Sequence, residues 1–302
     1  MIFDLHTDIL FDIVSKKLDN KQNIIRDFHV KQYQKGEFIG GIWTYYTDIN
    51  NPLCEFERAI DYILEELEQT SDLINIVTTK DKLDFNKINV ILGFESLQPV
   101  KDVEKLKELH QLGFRHAMLT WNEANHYATG VLGDANLGLT EAGTYVVDFM
   151  NQHNMIVDVS HANITTVDNI LDITTKPILA SHSNVYSLCP HKRNLTDDQI
   201  DRIVQSGGLI GITAVKSFVN PHNPTVKEMV KHIEYLRQKG FLNHIGLGFD
   251  FMDYINGTNL TDLSNASEAK IIIQVFDELL YNDIEIDQIT YLNALNYINK
   301  IL

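Results

Sequence analysis

Cysteine is nearly missing from this chain of 302 residues, with Cys54 and Cys189 as its only two. Two thiols cannot build a disulfide framework, which excludes the stapled secreted domains and fits reduced thiols in a reducing compartment. Cys54 falls at a predicted helix start and Cys189 in a loop, with no general base nearby in sequence, so cysteine catalysis is not expected. Apolar runs of about 18 to 20 residues, the length that crosses a bilayer, are also lacking. Basic residues are scarce, since 25 Lys and Arg stand against 41 Asp and Glu for a net charge of −16. Nucleic-acid phosphates are bound by clustered Lys and Arg, so nucleic acid is excluded as the main partner, and the acidity serves solubility. Nor does the N-terminus carry the basic and apolar regions of a signal peptide; it enters an apolar strand at Ile2, which predicts an unprocessed cytoplasmic protein with no membrane partner. With no Gly-, Pro- or Ser-rich linker, low-complexity tract or fixed-period repeat, one domain over residues 1–302 is expected.

What the chain does contain is a regular alternation. Hydrophobic runs bounded by turn signals predict eight strands, at 2–5, 40–46, 88–94, 115–120, 155–159, 177–181, 209–214 and 245–249. Amphipathic stretches of helix length lie between most of them, at 55–69, 103–112, 140–152, 165–173, 196–205 and 226–239. The runs at 88–94 and 208–212 are apolar almost throughout, as in parallel strands covered on both faces. Eight βα units fit a closed (β/α)8 TIM-type barrel better than an open sheet, and such barrels take about 250 residues. Two more helical stretches, 266–281 and 287–301, are expected as additional C-terminal helices packed on the barrel.

In such a barrel the chemistry comes from side chains at the C-terminal ends of the strands. Those ends are rich in metal ligands here: His6 and Asp8, Glu95, His161, His182 and Asp250. His6 and Asp8 stand two apart, so on a strand they point to one side and can converge on one ion. The carboxylates of Asp8, Glu95 and Asp250, gathered at one mouth, would repel and raise one another's pKa unless a cation neutralised them. A dinuclear metal centre does so. Nitrogen and carboxylate donors without thiolates indicate zinc first, with manganese or cobalt as alternatives. Five ligands shared by two ions leave positions open for water.

The motifs Asp4-Leu5-His6-Thr7-Asp8, Gly93-Phe94-Glu95, Asp158-Val159-Ser160-His161, the block from Ser181 through Cys189 to Asp198, and Gly246 to Phe251 are together similar to the membrane dipeptidase (renal dipeptidase) family of zinc peptidases. The likeness covers nearly the whole chain. It implies that His6 and Asp8 hold one of two zinc ions, that His161 and His182 hold the other, and that Glu95 bridges them with a shared hydroxide as nucleophile. It further implies that Arg193 grips the carboxylate of a small dipeptide substrate and that Asp250 is the catalytic proton carrier. A planar guanidinium fork suits a free C-terminal carboxylate, in agreement with that role. Asp4 is expected deeper on the His6 side, bonded to a ligand or in a buried structural pair.

Two departures stand out. Where many family members carry a histidine after Leu-Thr, poised over the developing oxyanion, this chain has Trp121, with His126 five residues on as a group that could reach inward. After Asp250 the run Phe251-Met252-Asp253 replaces a tighter acidic turn. A dipeptidase is thus the first expectation. A related hydrolase of another small amide or ester, such as an N-acyl amino acid or lactone, is the second, and a non-catalytic zinc-binding homologue the third. Family members are often dimers, and no interface signature is visible, which leaves a homodimer open.

Overall fold

The computed structural model describes residues 1–302 except 49, 51, 256 and 258. Nine parallel strands form the sheet: β1 (Ile2–Thr7), β2 (Phe38–Tyr45), β3 (Ile74–Ile76), β4 (Ile88–Phe94), β5 (Phe114–Met118), β6 (Ile156–Asp158), β7 (Leu179–Ala180), β8 (Leu209–Ile212) and β9 (Ile245–Leu247). Eight of them close a ring, because β2 pairs with β4 as well as β1, and β9 returns to β1. The short β3 pairs with the first residues of β4, ahead of where β5 takes over that edge. The (β/α)8 barrel is therefore present. Among the described residues no helix is long and apolar enough to cross a membrane.

Local chemistry explains most boundaries. Asp102, Thr140 and Thr196 accept the backbone N–H groups of Lys105, Gly143 and Gln199, and so start helices Val103–Gln111, Glu141–Gln152 and Asp197–Gln205. The one polar residue inside β4, Asn89, is buried and accepts from the Asp84 N–H while donating to the Ile39 carbonyl, closing the barrel floor. Inside the barrel, Phe3, Leu5, Ile91, Ile156 and Leu209 pack with Leu295 and Ile298 of the last helix, Asn293–Ile301. That helix plugs the end opposite the site.

Four expectations needed adjustment. Helix Ile9–Leu18 and the helical run Ile25–Gly36 follow β1 without having been predicted. In the first of these Ile9, Leu10 and Phe11 continue the strand's apolar run, so neither a period of 2 nor one of 3.6 stands out. The three-residue β3 is too short to show alternation. The predicted helix 287–301 begins earlier, at Asp283, and passes through a π-helical turn, while 266–281 resolves into a 3-10 turn and helix Ile271–Glu278. Finally, several strands end sooner than predicted. The N–H groups of Ser181, Thr213 and Phe249 are taken by the side chains of Asp158, Asn184 and Asp4 instead of a neighbouring strand. The ladder stops where the site begins.

Candidate metal centre

The ligand-type residues leave the ring from different strands but meet at one mouth. His6 lies near the end of β1, where the pairing with β2 shifts register between Asp4 and Thr7. Asp8 follows it, Glu95 follows β4, His161 and His182 sit in the turns after β6 and β7, and Asp250 lies three residues beyond β9. His6 Nε2 is 3.6 Å from both Asp8 Oδ1 and Glu95 Oε1, and 3.9 Å from Asp250 Oδ1. Across the mouth, His161 Nε2 is 2.9 Å from Glu95 Oε1 and 2.9 Å from His182 Nε2. Among the described residues, three sets of donor atoms fall within 4.8 Å: His6, Asp8 and Glu95; Glu95, His161 and His182; His6, His182 and Asp250.

These donors fit a metal. Burial pushes the His6 imidazole down to about 3 and those of His161 and His182 well below their ordinary value, so all three present neutral lone pairs. Both ring nitrogens of His6 and Oδ1 of Asp250 are buried without a hydrogen-bond partner. Unpaired buried polar atoms are costly, and a cation would satisfy them. Burial, with Thr44 opposing, raises Asp8 to about 6; burial, then Asp8, raises Asp250 to about 8; and burial, then Asp8 and Asp250, raises Glu95 well above its usual range. A carboxylate must lose its proton to bind metal, so protons held at lower pH compete with the ion. Metal affinity is expected to rise over a pH window around 6, where Asp8 gives up its proton, with proton release on binding. Calorimetry in buffers of different ionisation enthalpy measures this, and an affinity flat over that window would contradict it.

The backbone is bent to aim these groups. His161 and Asp250 have φ of 70° and 55°, the left-handed region that a side chain enters at a cost of about 1–3 kcal/mol. Asp8 occupies the N-cap position of helix Ile9–Leu18 yet makes no capping bond; its Oδ1 accepts from Thr44 Oγ1 at 2.8 Å and stays turned to the site. Asn122 Oδ1 accepts from His161 Nδ1 at 3.0 Å and Ser181 Oγ meets His182 Nδ1 at 2.9 Å, so each Nε2 is left to face the mouth. A Cβ on Gly248 would fall 1.7 Å from the Ser181 carbonyl oxygen, so only glycine there lets the His182 turn enter.

Two buried carboxylates tie the turns together. Asp158 Oδ1 accepts from the Ser160 and Ser181 N–H groups, one beside each of the two histidine turns, while Oδ2 pairs with His116 Nε2 at 2.8 Å. Asp4 Oδ1 accepts from the N–H groups of His6 and Phe249, joining the His6 and Asp250 segments through backbone and not through a ligand ring. Thr44, Asn122, Asp158 and His116 were not singled out in the sequence. Thr44 and His116 lie on strands beside those they support and carry no local signal, whereas Asp158 stood inside a quoted motif and Asn122 next to Trp121.

A cavity of about 330 Å³ opens over the donors and is lined by Asp8, Glu95, His161, Asp250, Arg193 and Trp121, among others. Arg193 is buried, its guanidinium 5.3 Å from the Phe218 ring and its Nη2 2.6 Å from His182 Nε2. Burial lowers it to about 10, so it stays charged at neutral pH. Trp121 is half-buried, stacked on His161 at 5.7 Å and against Tyr46 at 4.8 Å. His126 is not brought in, contrary to expectation. The residue is exposed, its ring lies against Tyr127 and it bonds the Val100 carbonyl.

Comparison with known proteins places this geometry. The Rhodobacter sphaeroides metallopeptidase liganded with a phosphinate mimic of the dipeptide L-Ala-D-Ala has the same fold, with a TM-score of 0.88 at 20% identity over 100% of this chain and 99% of that one. An amidohydrolase of Pseudomonas aeruginosa also shares it, with a TM-score of 0.81 at 18% identity over 100% and 96%. In sequence, the dipeptidase verJ of Clonostachys rogersoniana is 26% identical over 94% of this chain and 78% of its own length. The dipeptidase aclJ of Aspergillus oryzae is 27% identical over 85% of this chain, and an uncharacterised dipeptidase of Schizosaccharomyces pombe is 30% identical over 72%. The chain spans 65% and 60% of the length of those last two relatives. The family profile described as membrane dipeptidase matches residues 1–301, and the chain belongs to that family of metallopeptidases, peptidase family M19.

Proposed function

We propose that this chain is a dinuclear zinc dipeptidase acting, as one domain, on dipeptides with a free C-terminal carboxylate. The observation that carries the proposal is one cavity onto which Asp8, Glu95 and His161 of the converging donor set and the buried Arg193 all open. His6 and Asp8 would hold one ion, His161 and His182 the other, and Glu95 both. Ions held there supply Lewis acidity and lower the pKa of water to about 7.

The chain's own groups do the rest. Arg193 Nε is buried without a partner, so a substrate carboxylate laid on that edge satisfies it with a charge-assisted bond and sets the register of the peptide. Asp250 Oδ1 is buried without a hydrogen-bond partner, 3.9 Å from His6 Nε2, and the residue lines the same cavity, so its carboxylate would take the proton of the attacking water and pass it to the departing amine. Trp121 and Tyr46 form an aromatic wall that limits water over the scissile bond. The dipeptide mimic in the Rhodobacter sphaeroides structure and the names of the fungal relatives support the same substrate class.

Purified protein is expected to carry two zinc ions and to release amino acids from a small dipeptide panel, with loss on chelation and recovery on adding zinc. Arg193→Ala should raise KM for dipeptides by about 10- to 100-fold, the worth of a charged hydrogen bond, while a neutral ester is unaffected. Equal effects on both substrates would favour a hydrolase of neutral amides or lactones. Full metal content with no turnover on any dipeptide would leave a non-catalytic homologue.

A further inference from the structure

A second cavity, of about 400 Å³, lies beside the first and shares His161 and Arg193 with it. Its remaining wall is largely aliphatic, with Val131, Val159, Ala162, Ile164, Val167 and Leu195. The amides that face it are engaged elsewhere. Asn194 donates to the Cys189 and Phe218 carbonyls and accepts from the Asn184 N–H. Asn163 donates to the Asp134 and Leu137 carbonyls and accepts from the Thr166 N–H. Gln199 closes the capping box with Thr196. An occupant therefore gains mainly by burying apolar surface. No carboxylate lines this cavity among the described residues, and Lys192 does.

We propose that this cavity receives the side chain of the substrate's C-terminal residue, and that the enzyme prefers a bulky aliphatic or aromatic residue there and rejects a basic one. The proposal rests on the dipeptidase reading, which puts the substrate carboxylate on Arg193. The C-terminal Cα is bonded to that carboxylate, so its side chain must enter a space bordering Arg193. The catalytic cavity on one side, with Asp8, Glu95 and Asp250 and the aromatic residues Phe11, Tyr46, Trp121 and Phe218, is the space that the scissile bond and the N-terminal residue would take. The other side is apolar and uncharged except for cations, and its volume is within the range of small-ligand sites, about 300–1,000 Å³. A lysine or arginine side chain would meet Arg193 and Lys192 there with no acid to pair with.

Steady-state kinetics on Gly-Gly, Gly-Leu, Gly-Phe and Gly-Lys, with the second residue in both hands, and on Leu-Gly and Phe-Gly, test this. The value of kcat/KM for Gly-Leu and Gly-Phe, in the accepted hand, should exceed that for Gly-Gly by at least about ten-fold, since each buried methylene discriminates by that order. Gly-Lys should be no better than Gly-Gly. Val131→Phe and Ala135→Phe each place a ring in the cavity from a surface loop, and either should bring Gly-Leu and Gly-Phe down toward Gly-Gly without a matching loss on Leu-Gly. Zinc content and melting temperature report whether each variant is folded, and two positions are used so that misfolding of one leaves the other to decide. A wild type without the preference, filled variants that keep it, or an equal loss on Leu-Gly would overturn the assignment. Turnover of dipeptides with unchanged selectivity sinks the cavity alone, whereas no turnover of any dipeptide sinks the dipeptidase reading and this proposal together.

Discussion

Asp250→Asn is expected to lower kcat on dipeptides by about 100- to 10,000-fold, the usual worth of a general acid or base, while zinc content stays at the wild-type level. The substitution is gentle on the fold for reasons visible in the backbone. Asp250 sits at φ 55°, a conformation asparagine adopts readily, and it is held there by main-chain bonds. Its N–H donates to the His6 carbonyl at 3.2 Å and its own carbonyl accepts from Asn259 Nδ2 at 3.0 Å. The carboxyl takes no part in holding the turn, since Oδ1 is buried without a hydrogen-bond partner. What the variant removes is the carboxylate that would carry a proton from the attacking water to the departing amine. Unchanged kcat would take Asp250 out of the chemistry. Loss of an ion together with kcat would make it a ligand, as its place within 4.8 Å of the His6 and His182 donors permits.

Asp158→Ala is expected to destabilise the protein by about 3–5 kcal/mol, the usual cost of breaking a buried pair from one side. On the proposed two-ion site, it should also reduce bound metal from two ions to one. Burial pushes the Asp158 carboxyl up, but the hydrogen bond and charge of His116, with bonds from Ser181 and Ser160, outweigh it and hold the group below its ordinary range. In linkage terms a depressed carboxyl stabilises the fold above its unfolded pKa, and that contribution fades as pH falls through the folded value. Without the carboxylate, the Ser160 and Ser181 N–H groups lose their acceptor, and they set the turns that present His161 and His182. His6, Asp8 and Glu95 make no bond to Asp158, so the first ion should stay. Asp158→Asn separates position from charge. Its carbonyl oxygen can still accept both N–H groups, so recovery of the second ion in that variant would identify the hydrogen bonds as the working feature. Denaturant unfolding and metal analysis read both effects. Two ions retained in Asp158→Ala would remove the positioning role.

Particular residues mark how far the sequence could be read. The run 88–94 was predicted as a strand to the residue, because a covered parallel strand is apolar on both faces and Gly and Glu close it. The amphipathic stretches predicted at 140–152 and 196–205 do form helices, and Thr140 and Thr196 cap them through contacts with residues three further on. Helix Ile9–Leu18 was hidden because its apolar residues continue those of β1. The mouth of the barrel was overestimated as strand for a different reason. Asp158, Asn184 and Asp4 capture the N–H groups that would have continued the ladder, from 23, 29 and 245 residues away.

The same division runs through the site. Residue types at strand ends were enough to place the barrel and to bring His6, Asp8, Glu95, His161, His182 and Asp250 into question, because βα alternation sends every strand's end to one rim, whereas Arg193 entered only through the family resemblance. His6 and Asp8, two apart, could be paired from sequence alone. The turn of a loop could not: His126 was drawn inward by its distance from Trp121 along the chain, and only packing against Tyr127 and Val100 turns it out. Nor could the supports of the donors, since Thr44 reaches Asp8 across strands and His116 reaches Asp158 across 42 residues. The second cavity beyond Arg193 belongs to the tertiary structure entirely. A donor set is a property of residue types at predictable positions, whereas a cavity is the space left between segments, and that space exists only once they have packed.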